Sequence, residues 1–158
     1  MPFPVETKWI TETEVRLGVR FPASYVVAMS KMNGGAVDVG TDVFWLHPFM
    51  DKSNKKRIQR TCNSVCRETS SMREFEYFQN ELIAIGHNGG GDALVLKPMI
   101  DDPTSLEHTV YWWDHETSEL HHAADDFSEL NKTWHNNTLH TEPRAARLLE
   151  TMMFAAAR

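Results

Sequence analysis

The densest group of side chains that could bind a metal lies between residues 115 and 126. It contains three histidines and three carboxylates: His115, Glu116, His121, His122, Asp125 and Asp126. Imidazole and carboxylate groups that converge across a hairpin can hold a single transition-metal ion. Successive residues of a strand point to opposite faces, however, so His121 and His122 would not face the same ion. We therefore expect a solvated hairpin without a metal site and without metal-dependent hydrolysis.

The glycine run at 89–91 is a second candidate, because glycine-rich loops can cradle phosphate. A P-loop continues into Gly-Lys-Ser/Thr and a helix, whereas here Gly91 is followed by Asp92 and an apolar, strand-like run. A carboxylate at that position would repel a phosphate group. The pattern predicts a hairpin turn.

No part of the chain has the pattern of a catalytic nucleophile. There is no Gly-x-Ser-x-Gly elbow and no His-Glu-x-x-His motif. Cys62 and Cys66 have no adjacent histidine, and no second pair of zinc ligands accompanies them. Their spacing of four on a predicted helix indicates buried, reduced thiols and a cytoplasmic location. We expect a protein without enzymatic activity and without a cofactor.

Charge is distributed unevenly along the chain. Residues 98–131 contain nine acidic residues and no Lys or Arg, whereas residues 51–73 contain seven basic and two acidic residues. An acidic stretch is usually a solvated face, but with embedded aromatic residues it also suits a basic protein partner. Trp45, Trp112 and Trp113 are candidate anchors, because tryptophan is enriched in interface hot spots. In a strand, at least one of Trp112 and Trp113 would face away from the core.

Composition limits the class of protein further. The 158 residues carry 16 basic and 22 acidic side chains, for a formal net charge of −6. That balance argues against nucleic acid as the main partner, because phosphate binding needs a basic surface. No apolar run reaches the roughly 18–20 residues of a membrane helix, and no signal peptide is visible. We expect one folded cytoplasmic domain with no membrane segment.

Three helices are predicted in the first half of the chain. A capping box at 11–14 begins a short helix that ends at Gly18. A second helix begins at Pro22 and ends at the Asn-Gly-Gly sequence 33–35. The third spans 53–69 and carries both cysteines on its buried side.

The remainder predicts a sheet. Runs rich in β-branched and aromatic residues, separated by turn residues, predict two strands within 36–50 and further strands at 82–85, 93–96, 109–113 and 119–122. We predict an α+β fold: a single domain with an antiparallel sheet, helices packed on one face, and a C-terminal helix. The domain would comprise residues 1–131. The extension 132–158 would contain one amphipathic helix, whose apolar side makes a homodimer possible.

Four motifs in order resemble the SUKH superfamily. They are RFPASY (20–25) with NGG (33–35), IGHNGGGD (85–92), VYWWDHE (110–116) and FSEL (127–130). Phe21-Pro22 stands where members typically have Leu-Pro at the start of a helix. The resemblance spans about residues 8–131, while the basic segment 51–73 is longer than the pattern and the tail lies outside it.

The resemblance implies a function through protein binding. Bacterial members are mostly immunity proteins that neutralise toxins, often nucleases, and eukaryotic relatives include interaction hubs that regulate cell-wall synthesis. The family has no accepted catalytic residues. We therefore predict an immunity protein that occludes the active site of a basic cognate toxin; the alternative is a non-enzymatic regulatory interaction module. The predicted partner-binding residues are Trp45, His47, Asp92, Trp112, Asp114, His115 and Glu116. For Asp92 the alternative is a structural role, in which it caps or stabilises the glycine turn.

Overall fold

Seven strands form one antiparallel sheet in the part of the chain that the computed structural model describes, residues 2–133. They are β1 (Ala36–Val39), β2 (Asp42–Leu46), β3 (Ile83–His87), β4 (Ala93–Leu96), β5 (Val110–Trp113), β6 (Leu120–Ala124) and β7 (Lys132–Thr133). Their order across the sheet is β6-β5-β4-β3-β2-β1-β7. Each strand from β1 to β6 therefore pairs with its neighbour in sequence, and β7 returns to pair with β1. The predicted α+β fold with an antiparallel sheet is confirmed.

Four α-helices and one short 3-10 helix accompany this sheet within residues 2–133. They are α1 (Thr7–Leu17), α2 (Ala23–Lys31), α3 (Lys55–Arg60), α4 (Val65–Met72) and the 3-10 helix Phe127–Glu129. Gly18 ends α1 in the left-handed conformation (φ 69°), as predicted. Helix α2 begins at Ala23, one residue after the predicted start at Pro22, which is its N-cap. None of these helices is both long and apolar enough to cross a membrane.

The predicted start of the first helix was wrong. The helix begins at Thr7, so Thr11 lies inside it and does not cap it. The Glu14 carboxylate accepts a hydrogen bond from the backbone N–H of Phe21 at 2.9 Å. Glu14, which the sequence pattern assigned to a capping box, therefore connects α1 to the segment that leads into α2.

The single helix predicted over 53–69 was also wrong, because two helices, α3 and α4, occupy this segment. Between them, the Thr61 hydroxyl donates to the Arg57 carbonyl at 2.8 Å and accepts from the Asp51 N–H at 3.0 Å. Such side-chain bonds compete with continuation of a helix. As a result Cys66 is buried but Cys62 is exposed, contrary to the prediction that both are buried.

The main core lies between one face of the sheet and helices α1 and α2. At its centre, Tyr25 packs against Phe21, Phe49 and Phe127 with ring centroids 4.9–5.8 Å apart. The buried Asn33 side chain holds the backbone of Phe49 from both sides, accepting from its N–H at 2.7 Å and donating to its carbonyl at 2.8 Å. These bonds satisfy the backbone N–H and carbonyl of Phe49, which lies in a buried loop and has no partner strand.

A second, smaller core covers the opposite face of β3, β4 and β5. Its buried members are Phe78, Leu82, Ala84, Ala93, Val95 and Trp113. Helix α4 packs beside β3, where the Thr69 hydroxyl accepts from the Ala84 N–H at 3.0 Å. Both faces of the central strands are therefore covered. This explains why neither Trp112, half-buried against the main core, nor Trp113, buried in the second core, is freely exposed.

The amphipathic helix predicted in the C-terminal extension lies outside the described residues, and so does its predicted role in a homodimer. The boundary predicted at residue 131 falls just before β7, which pairs with β1.

Candidate functional site

The glycine-rich segment between β3 and β4 is a hairpin turn, as predicted. The Asn88 side-chain oxygen accepts from the N–H groups of Gly90 at 2.9 Å and Asp92 at 3.2 Å, and its amide donates to the Asp92 carboxylate at 2.9 Å. Gly89 and Gly91 adopt positive φ values of 77° and 110°. The turn is thus closed by its own side chains, in a conformation that requires glycine.

Asp92 joins this turn to the end of β5 through His115. Its carboxylate accepts from the His115 backbone N–H at 3.1 Å and contacts His115 Nδ1 at 2.6 Å. Burial raises the pKa of Asp92, but the hydrogen bonds from His115 and Asn88 outweigh that effect and hold the pKa below its usual range. The hydrogen bond to Asp92 raises the pKa of His115. The two side chains therefore form an ion pair when His115 is protonated.

Asp114 closes the next turn along the chain. Its carboxylate accepts from the N–H groups of Glu116 at 2.8 Å and Thr117 at 3.2 Å, and lies 3.9 Å from Nε2 of His121. Such a bond from an aspartate to the backbone two residues later defines an Asx-turn. The Glu116 side chain is exposed beside it.

The possible metal ligands do not form the cluster considered from the sequence. His122 pairs with Asp125 at 2.7 Å, while Asp126 bonds Ser24 and Ser128. A different group, Asp92, Asp114 and His115, has ligand atoms within 4.8 Å of one another. Because Asp92 and His115 bond each other and the Asp114 carboxylate bonds its own turn, the geometry is that of a hydrogen-bonded junction.

Trp112 packs on the main-core side of the same strand end. Its ring lies edge-on to Phe44 at 6.0 Å and tilted against His121 at 5.8 Å. Five predicted residues therefore lie together at the ends of β4 and β5: Asp92, Trp112, Asp114, His115 and Glu116. We call this group the acidic hairpin end.

Trp45 and His47 are not part of this group, although the Trp45 ring lies beside Gly89 of the glycine turn. The sheet register aligns Trp45, His87, Ala93 and Trp113 across four strands, which places Trp45 on the face opposite Trp112. The ring of Trp45 lies 6.1 Å from that of His87, which stacks in parallel on His47 at 5.1 Å.

His47 is 3% exposed, which leaves almost none of its side chain for a partner. Burial, reinforced by the neighbouring His87, lowers the pKa of His47 to about 3. His47 is therefore an uncharged part of the interior at neutral pH.

Two exposed aromatic residues were not identified from the sequence. Phe75 is 60% and Tyr77 68% exposed, in the turn that follows α4. The next residue, Phe78, is buried edge-on against Trp113, with ring centroids 5.3 Å apart. The alternation Glu-Phe-Glu-Tyr at 74–77 is the signal that could have indicated this surface.

Comparison with protein families identifies the fold. A model of the SMI1 / KNR4 family (SUKH-1) matches residues 4–132. The chain belongs to the SUKH-1 family. The predicted resemblance over 8–131 is thus confirmed over nearly the same residues. No curated protein and no solved structure matches this SUKH-1 chain.

Membership of the SUKH-1 family indicates the general kind of function. SUKH domains are known as immunity or regulatory proteins rather than as enzymes. Family membership is consistent with an immunity protein and suggests a protein partner such as a toxin.

Proposed function

We propose that this SUKH-1 protein is a cytoplasmic immunity protein that binds a basic cognate toxin, such as a nuclease, and occludes its active site. The observation that carries the proposal is the concentration of acidic residues on one stretch of a SUKH domain. Nine acidic residues and no Lys or Arg occupy residues 98–131. A nuclease groove is built to bind phosphate, so carboxylates would be attracted to it.

Asp114 and Glu116 of this stretch lie at the acidic hairpin end, where Asp92 joins them through its bonds to His115. Asp92 and Asp114 are fixed by the turns that they close, whereas Glu116 and the nearby Glu119 are exposed. The exposed pair would act on the partner at long range and raise the association rate. The fixed pair would define the shape of the surface.

A rescue experiment tests the proposal. The C-terminal domain of the toxin-like protein encoded beside this chain is expressed in a host with and without the chain. We expect survival only with the chain, together with co-purification of the two proteins. Death in both cultures without a complex would reject immunity and favour a regulatory interaction module.

The role of the acidic hairpin end is tested by charge reversal. Glu116→Lys with Glu119→Lys leaves the capping carboxylate of Asp114 in place. The matched control, Asp38→Lys with Asp42→Lys in the β1–β2 hairpin, changes the net charge by the same amount. We expect the first variant alone to lower the association rate about tenfold or more at low salt and to flatten its salt dependence. Equal effects in both variants would exclude a specific role for this end.

A further inference from the structure

We infer that the turn at residues 73–78 is the apolar anchor of the partner interface, and we call it the aromatic turn. It would bind a protein surface on which Lys or Arg side chains surround an apolar pocket. The identity of the partner rests on the proposed function, but the existence of the anchor rests on the structure of the turn.

Exposure is the first observation. Phe75 and Tyr77 are the two aromatic residues among the strongly exposed large apolar side chains of residues 2–133. They lie two residues apart, so both can contact one partner. Aromatic side chains are enriched among the residues that contribute most to protein–protein binding. By contrast, the three tryptophans first considered as anchors are buried or half-buried.

The second observation is that the turn is held in place. The Phe75 N–H donates to the Met72 carbonyl at 3.0 Å, and the Phe78 N–H donates to the Phe75 carbonyl at 3.1 Å. The buried Phe78 ring ties the turn to Trp113 in the sheet. The exposed rings are thus presented on a fixed backbone, which reduces the entropy lost on binding.

Charge specifies the kind of partner. Glu74 and Glu76 are exposed on either side of Phe75, and neither forms an ion pair with a residue that the structure describes. Arg73 is the single basic residue of the turn and is half-buried. Exposed carboxylates beside apolar rings favour a basic partner. A second copy of this chain, with its formal net charge of −6, would bring like charges together.

The position of the turn connects it to the acidic hairpin end. Phe78 packs on Trp113, and Trp113 directly precedes Asp114 in the chain. The aromatic turn is therefore attached to the sheet at the residue that directly precedes Asp114. Within the aromatic turn itself, exposed aromatic rings stand beside polar side chains, as the core and the polar rim of a protein interface do.

The test uses the toxin domain recovered in the rescue experiment and compares dissociation constants. We expect Phe75→Ala with Tyr77→Ala to raise Kd by about 30-fold or more, the change typical of a hot spot. The matched control, Val27→Ala with Ile100→Ala, removes two other exposed apolar side chains (52% and 90% exposed) and should leave Kd unchanged. All variants should unfold at the same temperature as the wild type. An unchanged Kd in the aromatic variant, or an equal change in the control, would overturn the inference.

A second measurement decides the inference if the neighbouring protein does not bind, an outcome that rejects only the proposed function. The photo-crosslinking residue p-benzoylphenylalanine replaces Tyr77 in the source cell, with the same residue at Ile100 as control. A basic protein that is captured from position 77 alone, and no longer captured after Glu74→Lys with Glu76→Lys, supports the anchor. No adduct, equal adducts at both positions, or an adduct to a second copy of the chain overturns it.

Discussion

Phe49 and Phe75 show how differently two regions of this SUKH-1 domain use the same residue type. Phe49 is fully buried in the aromatic centre of the main core, and Asn33 holds its backbone. Phe75 is 60% exposed on a turn that would keep its shape without it, because Phe78 supplies the attachment to the sheet. The interior aromatic side chains therefore stabilise the fold, while those of the turn are available for recognition.

The largest expected effect separates these two phenylalanines directly. Phe49→Ala should lower the free energy of unfolding by about 3–5 kcal/mol, because it removes a buried ring and leaves a cavity. Phe75→Ala should change it by less than about 0.5 kcal/mol, as is usual for surface substitutions. Urea unfolding followed by circular dichroism measures both. Similar losses would mean that the aromatic turn belongs to the core.

Asn33 and Asn88 extend the comparison to side chains that bond the backbone. Asn33→Ala would leave the buried N–H and carbonyl of Phe49 without partners, and should lower the free energy of unfolding by about 2–3 kcal/mol. Asn88→Ala acts in a solvated turn, where water can replace the lost bonds, so a loss of about 1 kcal/mol or less is expected. Unfolding curves of both variants, with the exposed Asn63→Ala as control, test the order. A larger loss of unfolding free energy in Asn88→Ala than in Asn33→Ala would contradict this prediction.

His47 and His115 should respond to pH in opposite directions. Burial lowers the pKa of His47 to about 3, so in acid the unfolded chain binds a proton that the folded chain excludes. Its contribution to stability is present above the ordinary histidine pKa of about 6.5 and is lost as the pH falls from there towards 3. Between pH 7 and pH 5 this loss should be on the order of 1–2 kcal/mol. The His47→Gln variant should not show this loss of stability between pH 7 and pH 5, even if it is less stable than the wild type at pH 7.

The pKa of His115 is instead raised by Asp92, so its contribution is complete below the unfolded pKa and disappears as the pH rises through the folded one. An NMR titration should give His115 a pKa above that of a free histidine. Asp92→Asn should return it towards the ordinary value. A His115 pKa that is insensitive to this change would show that the pair does not form in solution.

The smallest expected effect concerns Gly91. A Cβ added there would lie 2.9 Å from the His115 ring, whereas one added at Gly89 would meet Trp45 at an ordinary 3.7 Å. Both glycines have positive φ, so either alanine variant should lose about 1 kcal/mol of stability. Only Gly91→Ala should also displace His115 and lower its pKa. The same shift in both variants would show that strain in the turn, and not the contact, controls His115.

The central strands and the glycine turn could be predicted because their signals are local. The run Leu82–Ile85, the glycines 89–91 and the run 93–96 lie next to one another in the sequence, and they form adjacent strands and their turn. The break at Thr61 could not be predicted in this way, because it depends on a hydrogen bond to Asp51 from an earlier loop.

The predicted site shows the same limit. Residues 110–116 are contiguous, so their common position at the end of β5 followed from the strand alone. The low exposure of Trp112 and Trp113 could not be predicted from the strand alone. A second core built from Phe78 and Leu82 covers the face that a single sheet would leave open. The exposure of Phe75 and Tyr77 depends on the same distant contact, between Phe78 and Trp113.

The order of the strands has a consequence for how the domain assembles. From β1 to β6 every pairing joins strands that are consecutive in the sequence, and the β1–β2, β3–β4 and β5–β6 hairpins close over short loops. The β2–β3 pairing instead spans the longer segment that contains α3 and α4. The two-residue β7 has the most distant partner in the sequence among the described strands, because it pairs with β1. Its Lys132 ammonium then reaches the backbone carbonyls of Ala28 and Met32, closing the C-terminal end of α2. We therefore expect the local hairpins to form before the pairing of β7 with β1.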